Sequence, residues 1–406
     1  MTPNNLIIGF VPLLDCASLV IAVEKGFMAQ EGLEVTLVRE TSWANIRDRI
    51  VVDHFDAAQM LGPMTIAASL GIGHLTVPMI APISLGLGGN AITVSNALWQ
   101  QMHEHGAQLN ADPVTQGQAL KKIVTQRQQQ NKPALTFGMV YPFSCHNYEL
   151  RYWLSASGID PDHDVQLVVI PPPLLVDALR EGQIDGFCVG EPWNSLAVEA
   201  GAGVIVNATT QIWRLSPEKV LGCRASWAKQ HPQQLAGLIR AIYRAAQWCE
   251  QSANHAALAS ILAKPRYIGA PADVLLRALS GKLRLAAGEA LVEVPDFFMT
   301  HRQQANFPWA SHALWYYTQM VRWKQTAFSQ QSLDAVRSTY RPDLYRNALM
   351  MIDESIPMTD YKTERAVSGR YVVNDDNASL TLSAEGFFDG RVFEPTDVEG
   401  YIKGFA

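Results

Sequence analysis

The stretch LIIGFVPLLDCASLVIAVEKG, residues 6–26, decides the fold class. Residues 6–11 are apolar and include two isoleucines, a pattern that favours a buried strand. Residues 16–25 show the apolar spacing of a helix, and Gly26 predicts its end. A buried strand followed directly by a helix is the repeating unit of α/β folds, so we expect an α/β protein.

The same alternation continues along the first half of the chain. Strand patterns at 33–38, 55–60 and 76–80 alternate with helix patterns at 43–52, which Ser42 caps, and at 63–71. A polar, glutamine-rich segment at 100–132 predicts a solvated helix and a linker. A second set of strand patterns follows at 135–140, 165–170, 184–189 and 204–206, again with helices between them. This order predicts two lobes with mostly parallel sheets.

The lobe boundaries follow from where these sets begin and end. We predict a first lobe from residues 1–90 and 208–406, whose later part forms a helical C-terminal extension, and a second lobe from residues 91–207. Patterns from residue 232 onward are mainly helical, and Trp248, Trp309, Trp315 and Trp323 are expected to anchor their packing. The tail from residue 361 is polar and rich in turn residues, with a weak strand pattern at 370–373.

Composition excludes several classes of protein. The 406 residues carry 38 acidic and 32 basic side chains and a formal net charge of -6, a poor match for a nucleic-acid-binding surface. No apolar run reaches the length of a membrane span. The five cysteines are widely spaced and form no zinc or CxxC pattern, so we expect buried, reduced thiols.

The first residues favour a cytoplasmic protein. Residues 1–5 contain no lysine or arginine, and Asp15 interrupts the apolar stretch that follows, whereas a signal peptide needs a basic start and an uninterrupted apolar core. A mature chain whose export signal has been removed would look the same.

Candidate ligand-binding residues lie where the predicted strands end. In α/β lobes the ligand lies beyond the carboxyl ends of the strands. The segments 12–16, 42–45, 61–63, 141–147, 190–194 and 217–219 occupy these places. Among them, His146 and Lys219 can carry positive charge and Trp43 offers an indole N–H, while Asp15 and Glu191 are acidic. This set suits a small anion better than a phosphorylated ligand, which would require more arginine.

Each candidate also has a purely structural interpretation. Trp43 could be a core aromatic, His146 an exposed residue, Lys219 a surface lysine and Glu191 a favourable first-turn carboxylate. The glycine-rich segment 85–89 lacks the spacing of a nucleotide loop and suits a hinge better. Cys16, near a helix start, could be a nucleophile, but no histidine base accompanies it in sequence.

Several motifs resemble one family over nearly the whole chain. They are GFVPLLDCA (9–17), EKGF (24–27), SWANIRD (42–48), RYWL (151–154), PPP (171–173), FCVGEPWN (187–194), PEKVLG (217–222) and FDGRVF (388–393). Together they resemble the nitrate- and bicarbonate-binding proteins of ABC transporters. SWANIRD and CVGEPWN are the most specific of these strings.

The resemblance implies a two-lobe, type II periplasmic-binding-protein-like fold with an anion in the cleft between the lobes. The family's nitrate-contacting positions correspond to Trp43, Asn90, His146, Gly190 and Lys219, with Asn45, Pro12 and Glu191 around them. Asn90 stands where the family usually has glutamine; because asparagine is shorter, the pocket is expected to be slightly wider or tuned for another anion. Glu191 is expected to lie near Lys219, and in bicarbonate-binding relatives an acidic residue at this place helps to hold calcium; because no dense carboxylate cluster is visible here, we expect no metal and no cofactor.

Within this family the cytoplasmic branch consists of nitrate/nitrite sensors of the NasS type. Such a sensor sequesters an ANTAR-type RNA-binding antiterminator of the NasT type until nitrate or nitrite arrives, which controls nitrate-assimilation genes. We therefore expect a cytoplasmic sensor that is not an enzyme and contacts neither nucleic acid nor membrane. The alternatives are a solute-binding receptor of a nitrate or bicarbonate ABC transporter and, from the same fold, a cysteine-dependent desulfinase or a pyrimidine-forming thiamine enzyme.

Overall fold

The strands form two five-stranded sheets and several short pairs. A computed structural model describes residues 5–73, 77–350, 352, 356–365, 369–375 and 378–405. In chain order its strands are β1 (Asn5–Phe10), β2 (Glu34–Arg39), β3 (Ala57–Leu61), β4 (Met79–Ser84), β5 (Leu87–Gly88), β6 (Asn90–Ser95), β7 (Leu135–Met139), β8 (Val165–Val169), β9 (Gly186–Gly190), β10 (Gly203–Ala208), β11 (Lys219–Arg224), β12 (Lys282–Arg284), β13 (Leu291–Glu293), β14 (Phe298–Met299), β15 (Glu364–Arg365), β16 (Tyr371–Asp375), β17 (Ala378–Leu382) and β18 (Val392–Phe393).

Helices separate most of the strands in the first half and dominate the second half. In chain order they are α1 (Ala17–Glu24), α2 (Phe27–Gln30), α3 (Trp43–Val51), α4 (Gly62–Ser69), α5 (Asn96–Glu104), α6 (Pro113–Gln129), α7 (Cys145–Ala156), α8 (Leu175–Arg180), α9 (Trp193–Glu199), α10 (Thr209–Ile212), α11 (Ala225–Gln230), α12 (Pro232–Glu250), α13 (His255–Leu262), α14 (Ala272–Leu279), α15 (Ala310–Arg322), α16 (Gln330–Arg337), α17 (Pro342–Leu349) and α18 (Val398–Lys403). The predicted two-lobe α/β class is confirmed.

Each large sheet belongs to one lobe, and both sheets are mixed. The first has the order β2-β1-β3-β11-β4 and the second the order β10-β6-β9-β7-β8. Strands β1, β2 and β3 are parallel, as are β7, β8 and β9, but β11 and β6 run antiparallel to their neighbours. Four of the five strands in each sheet therefore run in the same direction, in line with the expectation of mostly parallel sheets, and one strand in each runs against them. The reason is that β6 and β11 enter their sheets directly from the other lobe, starting at the edge where the neighbouring strands end.

Strand β1 and helix α1 form where the apolar patterns of the sequence predict them. Strand β1 pairs in register with β2 over its whole length, and Ile8 and Phe10 are fully buried. Helix α1 packs on α12, the 19-residue helix of the C-terminal half. Ser42 caps α3, as predicted, because its hydroxyl accepts a hydrogen bond from the backbone N–H of Asn45 at 3.2 Å.

Some elements differ from the sequence-based expectations. Strand β11 was not predicted, and the glutamine-rich segment forms two helices, α5 and α6, with the interior positions of α6 buried. Strand β4 begins at Met79; the start of its predicted range, Thr76, lies outside the described residues. Of the four tryptophans expected as anchors, Trp309 and Trp315 are fully buried, and Trp248 and Trp323 are half-buried.

Candidate functional site

The two antiparallel strands bring polar residues to the edges at which the lobes face each other. Lys219, the first residue of β11, pairs with Leu61 at the carboxyl end of β3. Asn90, the first residue of β6, pairs with Gly190 at the carboxyl end of β9. Each crossing strand therefore places its first side chain where ligands of α/β sheets are found.

Lys219 is the centre of the site. Its side chain is fully buried, and its Nζ lies 3.1 Å from Asp15 Oδ2, 2.5 Å from Glu218 Oε2, 3.3 Å from Asn90 Oδ1 and 3.1 Å from His146 Nε2. Burial alone would lower the pKa of this ammonium, but the carboxylates of Asp15 and Glu218 outweigh that effect and raise the pKa. Lys219 is therefore charged at neutral pH.

Asn90 and Gly190 shape the second lobe's side of the site. The Asn90 amide accepts from Lys219 through Oδ1 and donates through Nδ2 to Glu149 Oε2 at 3.2 Å and to Glu218 Oε1. A side chain at Gly190 would place its Cβ 3.1 Å from Asn90 Oδ1 and 3.4 Å from Asp15 Oδ2. A Cβ at this position would therefore crowd the Asn90 amide oxygen and stand in van der Waals contact with Asp15.

His146 lies in the first turn of α7, which Ser144 caps by accepting from the Asn147 backbone N–H at 3.1 Å. Burial, and then the charge of Lys219, lower the pKa of His146 well below its usual value, so the imidazole is neutral. Because Nε2 faces the ammonium of Lys219, it acts as an acceptor and the ring proton resides on Nδ1. This Nδ1 is buried and has no partner among the described residues.

Trp43 is the first residue of α3, at the carboxyl edge of the first lobe's sheet. Its side chain is fully buried, and its indole N–H meets no acceptor in the described part of the chain. A buried donor without an acceptor costs about 1–3 kcal/mol, so native proteins seldom leave one unpaired. Trp43 and His146 thus each offer a buried N–H for which this part of the protein provides no acceptor.

Three buried carboxyl groups surround the single ammonium. They belong to Asp15, Glu149 and Glu218, all at most 3% exposed. Burial raises the pKa of Asp15 against the lowering effect of Lys219, and it raises the pKa of Glu218 to about 7. Burial, and then the charge of Glu218, raise the pKa of Glu149 well above its usual value. The site is therefore richer in acid than a simple anion pocket.

This carboxyl cluster corrects the expectation that no dense group of carboxylates would be found. Glu149 was missed because it lies inside α7, away from any strand end, although its spacing of three from His146 places both on one helix face. Glu218 lies in the predicted segment 217–219, but the sequence indicated no role for it beyond its position next to Lys219. The spacing of His146 and Glu149 was the one available sequence signal.

The three residues expected around the site contribute in other ways. Asn45 donates to Glu40 Oε2 at 2.9 Å. Pro12 accepts, through its carbonyl, a hydrogen bond of 3.2 Å from the indole of Trp193 in the second lobe. Glu191 accepts from the Ser195 backbone N–H at 3.3 Å, and burial raises its pKa to about 7. Lys219 therefore has two acidic partners, Glu218 and Asp15, and Glu191 is not one of them.

The geometry at Cys16 argues against a nucleophile. Its side chain is fully buried, and burial, together with the charge of Asp15, raises the pKa of the thiol. The group therefore stays protonated at neutral pH.

One further acidic cluster lies in the C-terminal half. Within the described residues, His312, Glu364 and Glu385 are close enough together to share a metal ion. The Lys362 ammonium already bonds both carboxylates, at 2.5 Å to Glu385. The cluster is thus an internal ion-pair network.

Among the helices that the structure describes, none has the length and apolar character needed to cross a bilayer.

Comparisons with known proteins agree with this geometry. Residues 2–263 match the model of the NMT1-like family. The chain is 32% identical over 411 residues to the nitrate/nitrite binding protein NrtA of Synechococcus elongatus, covering 99% of this chain and 86% of that protein. It is 29% identical over 411 residues to the bicarbonate-binding protein CmpA of the same species, covering 98% and 85%.

A third relative is longer. The chain is 36% identical over 403 residues to the nitrate import ATP-binding protein NrtC of Synechocystis, covering 99% of this chain but 55% of NrtC. The chain thus spans about half the length of that relative.

A solved structure completes the comparison. The periplasmic nitrate-binding protein NrtA from Synechocystis PCC 6803 superposes with a TM-score of 0.86 at 27% identity, covering 100% of this chain and 99% of that one. This match confirms the predicted periplasmic-binding-protein-like fold. The chain belongs to the NMT1-like family and is homologous to the nitrate- and bicarbonate-binding proteins of ABC transporters.

Proposed function

We propose that this chain binds nitrate or nitrite between its lobes and acts as a sensor, without catalysing a reaction. The observation that carries the proposal is that Lys219 of the first lobe bonds Asn90 and His146 of the second. A ligand held by groups of both lobes favours the state in which the lobes are together, because its affinity for that state is greater. Binding is thereby converted into a change in the relative population of lobe arrangements.

The available donors suit a small planar oxyanion. The Lys219 ammonium provides a charge-assisted donor, and such hydrogen bonds are about twice as strong as neutral ones. The indole N–H of Trp43 and the Nδ1–H of His146 are buried donors with no acceptor among the described residues. Nitrate and nitrite offer acceptors and no donors, so either anion can accept from a buried N–H of this kind.

The output that we propose is cytoplasmic and involves an ANTAR-domain antiterminator of the NasT type. We take the antiterminator to prefer one lobe arrangement and the anion to prefer the opposite one. The bound antiterminator then weakens anion binding, and the bound anion weakens antiterminator binding by the same factor. Anion binding would then release the antiterminator and permit transcription of nitrate-assimilation genes. The sensor itself needs no contact with RNA, in keeping with its formal net charge of -6.

The anion part is tested by calorimetric titration with nitrate, nitrite and chloride. Nitrate or nitrite should bind, and Lys219→Ala should abolish binding while circular dichroism shows that the variant is folded. No heat and no thermal shift with either anion would contradict the proposal.

The sensor function is tested by co-purification with the candidate antiterminator. The complex should persist without nitrate and be lost with it; a complex that forms equally well with and without nitrate would contradict the sensor function.

A second candidate is a solute-binding receptor for bicarbonate or nitrate. It is favoured by the carboxyl groups of Asp15, Glu149 and Glu218. Bicarbonate has an O–H that can donate a hydrogen bond to a carboxylate, whereas nitrate has no donor. The relative CmpA is named for bicarbonate binding. Tighter binding of bicarbonate than of nitrate in the same titration would favour this candidate.

A further inference from the structure

The hydrogen-bonding capacity of Lys219 is already used within the protein. A lysine ammonium has three N–H donors. Four acceptor atoms lie within 3.3 Å of Nζ, contributed by Asp15, Glu218, Asn90 and His146. An anion can therefore bond this ammonium only if one of these acceptors gives up its place.

The charges around Lys219 also oppose an incoming anion. With all three carboxyl groups of Asp15, Glu149 and Glu218 ionised, three negative charges and one positive charge leave a net of two negative charges in a buried site. Neutral His146 does not offset them. Among the described residues, Lys219 is the one cation that forms hydrogen bonds or ion pairs with these carboxyl groups.

The position of Asn90 shows that two of these carboxyl groups are close together. A single amide nitrogen of Asn90 donates to both Glu149 and Glu218. Two carboxylates that share one site cannot both remain ionised at low cost, so one of them tends to hold a proton. Glu149 Oε1 is buried and makes no hydrogen bond of ordinary geometry with the described residues, although the Ser216 hydroxyl lies near this carboxyl group.

We propose that the cleft takes up its anion together with one proton, which neutralises Glu218 or Glu149; the inference rests on the anion binding proposed above. In the net reaction the free anion, one site carboxylate and one proton from solvent give a bound anion beside a neutral carboxylic acid. Protonation of Glu218 weakens its hold on Lys219 and frees one N–H of the ammonium. The new O–H can itself donate to the anion.

The direction of the pH effect follows from the groups that face the two glutamates. Burial raises the pKa of Glu218 to about 7 in the unliganded site, and a bound anion raises it further. The complex therefore holds more protons than the free protein above about pH 7, and affinity falls as pH rises through this range. The titratable and charged groups that face Glu149 and Glu218 belong to Asp15, Cys145, Cys188, Lys219, Tyr316 and Tyr340, and His146 contacts Lys219 beside them.

The thiols and phenols among these groups do not titrate in the same range. Burial raises the pKa of Cys145, Cys188, Tyr316 and Tyr340 well above the usual values. His146 is already neutral, and Lys219 remains charged. The carboxyl groups are therefore the groups that supply the pH dependence.

The test is a calorimetric titration of the full chain with sodium nitrate and sodium nitrite at pH 6, 7, 8 and 9. Each titration is repeated in buffers of different ionisation enthalpy, which counts the protons taken up. We expect the Kd to rise by up to about tenfold per pH unit above pH 7, with close to one proton absorbed per anion. Glu218→Gln or Glu149→Gln should flatten this dependence. The matched control, Glu364→Gln in the remote cluster with Lys362, should leave it unchanged.

The outcomes separate the two proposals. Anion binding with the same Kd at every pH and no proton uptake would overturn the coupling and leave the proposed function standing. A pH dependence that persists in both glutamine variants would also overturn it. Absence of binding at every pH, pH 6 included, would overturn the proposed function and the coupling together.

Discussion

At the scale of single residues, the site combines two buried donors that lack acceptors among the described residues with one position, Gly190, at which a side chain would be crowded. The sequence indicated Trp43, His146 and Lys219 because each follows a predicted strand end and offers an N–H. It could not indicate that the two N–H groups of Trp43 and His146 are buried without an acceptor among the described residues, since that depends on the packing of both lobes. It also missed Glu149, because this carboxyl group reaches the site from within a helix.

Replacing Trp43 by Phe removes the indole N–H and keeps an aromatic ring in the core. Because the smaller ring leaves a cavity, the melting temperature should fall, while nitrate affinity falls by about 1–3 kcal/mol, or roughly 5- to 150-fold, through loss of the donor. Trp213→Phe is the matched control, because Trp213 Nε1 is also buried without an acceptor among the described residues, but the ring packs against Trp315 and Phe387. Calorimetry and thermal melts of both variants give the comparison; equal nitrate affinity in Trp43→Phe and the unmodified chain would contradict the role of Trp43.

Gly190→Ala tests the space at the second lobe's edge. The new methyl would lie 3.4 Å from Asp15 Oδ2 and 3.1 Å from Asn90 Oδ1, so the Asn90 amide must shift by a few tenths of an ångström. We expect at least about tenfold weaker nitrate binding, because small misplacements at a site have large effects. Gly237→Ala, in α12, serves as the control and should bind nitrate normally. Unchanged affinity in Gly190→Ala would show that this edge does not contact the ligand.

At the scale of elements, the crossing strands β6 and β11 account for the site. Their antiparallel direction places Asn90 and Lys219 at the ligand edge of each sheet. The sequence predicted most strands and helices to within a few residues, because their apolar periodicity is strong. The reversed direction of β6 and β11 was not predicted, since it depends on the point at which the chain crosses between lobes and not on local pattern.

Helix α7 provides a test at this scale. Ser144 caps the helix that carries His146 and Glu149, and loss of a serine cap costs about 1 kcal/mol. We expect Ser144→Ala to lower the melting temperature and also to weaken nitrate binding, because the first turn of α7 loses its fixed position. Ser95→Ala removes the equivalent cap of α5 and should lower the melting temperature alone. Equal nitrate affinity in both variants would show that the Ser144 cap does not influence nitrate binding.

At the scale of the whole molecule, the lobes are joined by direct hydrogen bonds near the site. The Trp193 indole donates to the Pro12 carbonyl at 3.2 Å, and the Leu14 backbone N–H donates to the Glu191 carbonyl at 2.8 Å. The resemblance implied a cleft between two lobes, but these particular contacts depend on how the lobes are oriented, which sequence pattern does not specify.

Glu191 at this junction should make stability depend on pH. Its carboxyl ionises near its usual pKa of 4.5 in the unfolded chain but near 7 in the folded protein, owing to burial. The unfolded state therefore holds fewer protons between these values, and the free energy of unfolding falls as pH rises from about 4.5 to 7. Glu191→Gln should be more stable than the unmodified chain at pH 8 by about 3 kcal/mol, a difference that vanishes below pH 4.5. Urea titrations of both proteins at pH 8 and below pH 4.5 measure their free energies of unfolding. The same stability difference at both pH values would contradict the prediction.

The central claim is that a small oxyanion binds between the lobes at Lys219. A crystal structure of the full chain grown with nitrate at pH 6 tests it most directly. The account predicts a planar, three-oxygen density within hydrogen-bond distance of Lys219 Nζ and of at least one of the N–H groups of Trp43 and His146, with a contact from Lys219 to Asp15 or Glu218 given up. Nitrate found only at the surface, with all four partners of Lys219 retained, would contradict the account.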